Sequence, residues 1–148
     1  MSDIQTNTAL TFHGVEILSV QFETEQRYDN STPITFDFKP KVFFPPDEHN
    51  AFVVIMEAHL AAPTFFSVTV TATGRFELQG EISEETRKQF AHINAAAIMF
   101  PYVRAFITNF TASLGTVTGA ITIPVQFFQG ALEEYIPPTE ASQLNEAQ

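Results

Sequence analysis

Phe66-Ser67-Val68-Thr69-Val70-Thr71-Ala72-Thr73 is the stretch on which the fold turns. Apolar side chains alternate with hydroxyls, and along a β-strand successive side chains point to opposite faces. One face is therefore apolar and the other rich in β-branched hydroxyls, as in a strand packed on a core from one side. Gly74 marks a bulge or a bend, and residues 76–78 carry the strand on to Gly80.

Working upstream, residues 52–60 form a mostly apolar strand, and 47–50 a turn. Another strand spans 41–44, stopped by Pro45-Pro46. Residues 25–37 break the pattern: Tyr28-Asp29-Asn30-Ser31-Thr32-Pro33 is polar and ends in proline, which predicts a long loop. Ile34, Phe36 and Phe38 place apolar side chains at its far end. Residues 10–24 alternate again, with Leu18, Val20 and Phe22 facing one way and Ser19, Gln21 and Glu23 the other.

Downstream the period changes. Ser83 caps a helix whose first turn holds Glu84 and Glu85, opposing the helix dipole. Asn94 ends that helix or caps the next. Residues 95–114 predict a long helix, kinked or restarted at Pro101 and stopped by Gly115. A shorter last helix is expected over 124–136, weakened by Gly130 and closed by Pro137-Pro138. Four strands followed by helices predict an α+β domain: a four-stranded antiparallel sheet with a long helix and a shorter C-terminal helix on one face. Residues 1–9 read as a flexible N terminus, 10–136 as one domain and 137–148 as a disordered acidic tail.

The composition suits one globular domain of 148 residues, with 45% hydrophobic and 16% charged side chains. With no cysteine, disulfides, thiol nucleophiles and thiolate-bound zinc are excluded. The N-terminal residues lack a basic and an apolar segment, and no apolar run approaches the ~20 residues of a membrane span, so a cytoplasmic location without membrane insertion is expected. A formal charge of −10 repels nucleic acid and keeps a chain with 16 phenylalanines in solution.

The long helix needs more cover than one sheet provides. Met99, Val103, Phe106, Phe110 and Leu114 form a stripe at helical spacing, and Ile98, Tyr102 and Ile107 extend apolar surface around the remaining circumference. A helix apolar nearly all round is buried on more than one side. Either the neighbouring helices or a second copy of the chain covers it; the second reading is the expected one and makes Met99, Tyr102, Val103, Phe106 and Phe110 the oligomer interface.

Phe100-Pro101-Tyr102, Arg104, Ile107-Thr108 and Gly115, followed by Pro124-Val125 and Phe127, resemble the pattern of the SecB export chaperones. Phe22-Glu23, Phe38-Lys39-Pro40 and the hairpin before the helix fall in matching order, and the resemblance spans residues 10–136. It implies dimers that stack through the long helices into tetramers. It also implies ATP-independent binding of unfolded preproteins, in apolar grooves between the crossover loop, the second strand and the last helix, and delivery to the SecA motor. Carried over by position, client contacts fall on Phe38, Val42, Phe44 and Phe127, with Phe36, Phe128, Leu132 and Tyr135 beside them. Aromatic surface with few directional bonds suits clients that share no sequence. Glu23 matches one position of the family's acidic motor-docking patch, whereas Ser19, Ser67 and Thr69 stand at others, which leaves open a relative serving toxin–antitoxin pairs.

Enzyme chemistry finds little support. His13, His49, His59 and His92 have no metal-ligand spacing, and no phosphate-binding loop occurs, so no cofactor or metal is expected. Glu84-Glu85 and Glu133-Glu134 read as solvated helix charges. Arg104, alone on an apolar helix, points to an ion pair buried across an interface. The competing reading is an acyl- or small-molecule-binding domain in which His59 or His92 with a carboxylate supplies chemistry inside an enclosed cavity.

Overall fold

The computed structural model describes residues 10–126, 128 and 131–137. The expected flexible N terminus, Phe127, Gly130 and the expected acidic tail beyond Pro137 lie outside the described residues. In chain order come β1 (Leu10–Thr24), β2 (Thr35–Phe43), β3 (Ala51–Ala62), β4 (Phe66–Leu78), α1 (Glu84–Ile93), α2 (Ala95–Ser113), a 3-10 turn (Gly115–Val117) and β5 (Glu133–Glu134). The α+β class and the antiparallel pairing of the first four strands agree with the sequence.

The sheet runs β1-β4-β3-β2-β5. In β4 every second residue from Phe66 to Leu78 is buried, and β3 buries Phe52, Val54, Met56, Ala58 and Leu60 in register with it. This apolar face meets Ala96, Met99, Phe100, Val103 and Ile107 of α2 in one core. The core is filled by stacked rings, Phe12 on Phe76 at 4.8 Å and Phe76 on Phe52 at 5.1 Å.

β1 departs from simple alternation. Phe12 pairs with Phe76 but Val15 with Gly74, so His13 and Gly14 bulge, with Gly14 at φ 91°. Ile17 pairs with Ala72 and Ser19 with Thr71, which leaves Leu18 unpaired and 61% exposed. A bulge flips the parity of a strand, so Phe12, Val15, Ile17, Val20 and Phe22 pack inward, and Leu18 does not share the face of Val20 and Phe22 as expected. Both bulges are therefore in β1, one opposite Arg75 and one between the partners of Ala72 and Thr71, and not at Gly74, which pairs with Val15.

β2 begins at Thr35, six residues before the expected start at Lys41, and runs through Pro40. The proline is tolerated because β2 has a full antiparallel partner on one side only. The expected shorter C-terminal helix is not what the described residues of 124–136 form. Glu133 and Glu134 instead pair in parallel with Lys41 and Val42 as β5, so the sheet has five strands and is mixed. Bonding to the open edge of β2 outweighs a helix propensity already lowered by Gly130.

Ser83 caps α1 as expected, its Oγ accepting from Thr86 N–H at 3.1 Å. Asn94 both ends α1 and starts α2, and Pro101 lies within α2 without ending it. Gly115, at φ 65°, closes α2. Within the helical run Glu84–Ser113, an 18-residue window reaches a mean hydropathy of 1.3, enough to cross a membrane by length and composition alone. Its apolar side chains on α2, however, are used against the chain's own sheet.

Candidate functional site

The strand period builds the candidate site. Along β2, Phe36, Phe38, Pro40 and Val42 share the inward face, while Thr35, Asp37, Lys39 and Lys41 alternate outward. The Phe38 ring meets Phe100 of α2 edge-to-face at 5.1 Å, and Phe100 meets Phe128 at 5.5 Å. Phe44, just past β2, lies 6.3 Å from Phe52 and 6.0 Å from His92 of α1. Two cations face the Phe44 ring, the Arg87 guanidinium at 4.9 Å and the Lys88 ammonium at 5.9 Å. Beside this aromatic row an open groove of about 680 Å³ runs between Lys88, Gln89, His92 and Ile93 of α1 and Phe128 with Ala131. Phe36, Phe38, Phe44 and Phe128 are half-buried, so each keeps part of its ring available.

The other expected client residues are placed differently. Val42 is fully buried and Leu132 is 9% exposed, both within the core cluster. Tyr135 sits against Phe43 at 6.3 Å, on the opposite face of the sheet from Phe38. Phe127 lies outside the described residues.

The crossover loop is pinned. Tyr28 N–H donates to the Val117 carbonyl at 2.9 Å, its hydroxyl donates to the Thr32 carbonyl at 2.5 Å, and its ring meets Phe65 and Phe66. Arg27 bonds Thr116. Asp29 accepts from the backbone N–H of Thr32 at 2.9 Å and of Ser31 at 3.0 Å, and from the Thr32 hydroxyl at 2.7 Å. These bonds, led by the Thr32 amide, hold its carboxyl at a pKa of about 2.

α2 divides the expected interface. Met99 and Val103 are fully buried in the chain's own core, because 100° per residue turns them to the sheet along with Ile107. Tyr102 is 53% exposed and touches only the rim, its ring 5.1 Å from Phe12. Phe106 and Phe110 are half-buried, stacked at 6.1 Å, with Phe110 edge-on to Phe22. Arg104 is half-buried, and among the described residues no carboxylate lies within salt-bridge distance.

The sequence reading passed over Arg87, which is 6% exposed. It donates to the Glu48 carbonyl at 2.8 Å and the Ala51 carbonyl at 3.2 Å and pairs with Glu84 at 2.7 Å. It thereby fixes α1 to the β2–β3 turn and sets the wall of the groove. The only sequence hint was a cation on the side of α1 that also carries Ala91.

The histidines of the competing reading are otherwise engaged. His59 contacts the Thr69 hydroxyl at 2.8 Å on the outer face, and His92 Nδ1 accepts from Leu132 N–H at 2.9 Å. Among the described residues no group of three or more His, Asp or Glu side chains is placed to hold a metal ion.

With this geometry in view, comparison with known proteins is decisive. The family model described as preprotein translocase subunit SecB matches residues 20–129, well over half of the chain. The chain belongs to the SecB family. A solved SecB-like chaperone of Mycobacterium tuberculosis, Rv1957 in complex with a ChAD peptide from the Rv1956 HigA1 antitoxin, shares the fold: TM-score 0.64, 19% identity, over 80% of this chain and 88% of that one. The uncharacterized protein MJ0357 of Methanocaldococcus jannaschii is 38% identical over 103 residues, 65% of this chain and 54% of its own length. This SecB-family chain thus spans about half the length of that curated relative. The aromatic row of β2 and the groove beside it fall within the matched span, except for Ala131.

Proposed function

We propose that this SecB-family protein is an ATP-independent, non-enzymatic chaperone that holds unfolded polypeptides as a cytoplasmic homo-oligomer. The observation that carries this is the row of half-buried rings Phe36, Phe38, Phe44 and Phe128, seated against the buried Phe100, beside an open groove. Such a row offers apolar contact without demanding a particular sequence. A ligand-enclosing domain would need a cavity in the space that Phe12, Phe52 and Phe76 fill.

Preproteins destined for export, handed to the SecA motor, are the first client class. A second class, antitoxins, is favoured by a specific observation: around Glu23, the acidic docking positions are taken by Ser19, Ser67 and Thr69 on the outer face of β1 and β4. The M. tuberculosis relative was solved with an antitoxin peptide, which supports the same alternative.

Light scattering of a refolding client tests the main reading. Stoichiometric protein is expected to suppress scattering without ATP, and Phe38→Asp to lose most of that effect while keeping its fold by circular dichroism. Unchanged scattering with the unaltered protein would refute the chaperone assignment.

A further inference from the structure

The segment 131–135 sits where an extended client would lie. It inserts an apolar side chain, Leu132, into the cluster that holds Val42. It then pairs in parallel with the edge of β2, Glu133 with Lys41 and Glu134 with Val42. Its backbone is tied at both ends, Leu132 N–H to His92 Nδ1 at 2.9 Å and Tyr135 N–H to the Val42 carbonyl at 2.7 Å. Outside, Glu133 reaches Lys41 at 3.4 Å and Tyr135 lies on Phe43. These are the contacts of strand addition: main-chain bonds for hold, and alternate side chains into a pocket for fit.

The attachment is also weak. β5 has two residues, below the usual minimum for a strand, and the Lys41–Glu133 pair is largely exposed and screened by solvent. Val42, matched by position to the family's client groove, is fully buried while this segment is in place. A site that is covered by its own chain through a two-residue pairing is a site with an exchangeable occupant.

We propose that segment 131–135 is an internal strap that occupies the β2 edge and that an unfolded client displaces it. The site takes an extended segment with a leucine-sized side chain followed by a carboxylate for Lys41, the chemistry the strap itself presents. The inference rests on the chaperone function proposed above and deepens it by naming what the client must replace.

Leu132 gives opposite predictions for its two roles. As a client contact, Leu132→Ala weakens client binding. As the anchor of a strap, it strengthens binding by about 3- to 10-fold, because apparent affinity scales with the fraction of sites that are open. The measurement is fluorescence anisotropy with labelled, reduced and carboxymethylated lactalbumin, which stays unfolded. A second variant guards against loss of folding: Lys41→Cys with Glu133→Cys, in a chain that has no other cysteine, locks the strap when oxidised and frees it when reduced. Oxidation is expected to weaken binding about 10-fold or more relative to the same variant reduced, which, lacking the Lys41 ammonium and the Glu133 carboxylate, is its own reference. Weaker binding by Leu132→Ala, or equal binding by the oxidised and reduced forms, overturns the strap and leaves the chaperone function standing. No binding by the unaltered protein overturns both.

Discussion

Gly74 lacks a side chain because its neighbours occupy the space. A Cβ there would stand 3.0 Å from the Phe12 ring and 3.2 Å from the Met99 sulfur. Gly74→Ala adds a strand-favouring methyl but forces two core side chains to shift, and overpacking costs about 1–3 kcal/mol. The entropy regained on replacing a strand glycine is about 0.5–1 kcal/mol. The net expectation is a loss of roughly 0.5–2 kcal/mol, read as a lower urea midpoint; a raised midpoint would show that Phe12 and Met99 have room to move. Individual residues were unevenly legible in the sequence. The inward row of β4 could be read residue by residue, because nothing interrupts its period of two. Leu18 was misplaced, because one unpaired residue shifts parity and leaves no mark in composition. Phe38 was found through resemblance, and its neighbour Phe100 was read as part of a helix motif rather than as the ring Phe38 rests on.

Among the elements, α1 does more than its sequence announces. Its Arg87 is the only buried cation among the described residues and serves two carbonyls of the β2–β3 turn. Removing Arg87 takes its donor from the Ala51 carbonyl and leaves the Glu48 carbonyl only the long bond from Ala51 N–H at 3.5 Å, and an unmet buried acceptor costs about 1–3 kcal/mol. The Glu84 pair adds little, since that carboxylate is 59% exposed. Arg87→Met is therefore expected to lower unfolding free energy by about 2–4 kcal/mol. Arg87→Lys should recover only part, because a single ammonium does not reproduce the planar fork. Urea denaturation of the three proteins checks this, and a full recovery by lysine would reduce Arg87 to a simple charge. The element order was legible because each strand and helix carries its own period. Two stretches were not. Thr35–Pro40 hid as loop because proline argues against a strand unless the strand is known to lie near an edge, which is a property of the sheet. Glu133–Glu134 hid because two residues have no period, and their pairing is decided by the vacant edge of β2.

At the scale of the whole molecule, the decisive question is which surfaces the subunit leaves for others. Its sheet and the sheet-facing side of α2 are satisfied within one chain. What remains exposed on α2 is Ala97, Pro101, Tyr102, Ala105, Asn109, Ala112 and Ser113, with the half-buried Arg104 lining the same hollow as Pro101, Ala105 and Asn109. Phe106 and Phe110 flank this surface, both half-buried, with Phe110 against Phe22 of β1 and Phe106 stacked on Phe110. A charge at Phe106 would damage both the subunit and any interface, and so could not separate them. Ala105→Asp can. In a lone subunit the new carboxylate stands in water and costs little, within about 0.5 kcal/mol. Between two copies packed through α2 it would be desolvated, a cost of several kcal/mol that the neighbouring Arg104 offsets only in part. Since 1.4 kcal/mol is tenfold in an equilibrium constant, three such units would weaken association about 1,000-fold. Sedimentation of the unaltered protein is therefore expected to show an oligomer, and that of Ala105→Asp a folded species of lower mass with an unchanged circular dichroism spectrum. Identical sedimentation of the two would place the contact elsewhere, and the remaining free edge, β1 with Leu18 at its bulge, would then be the surface that joins the copies.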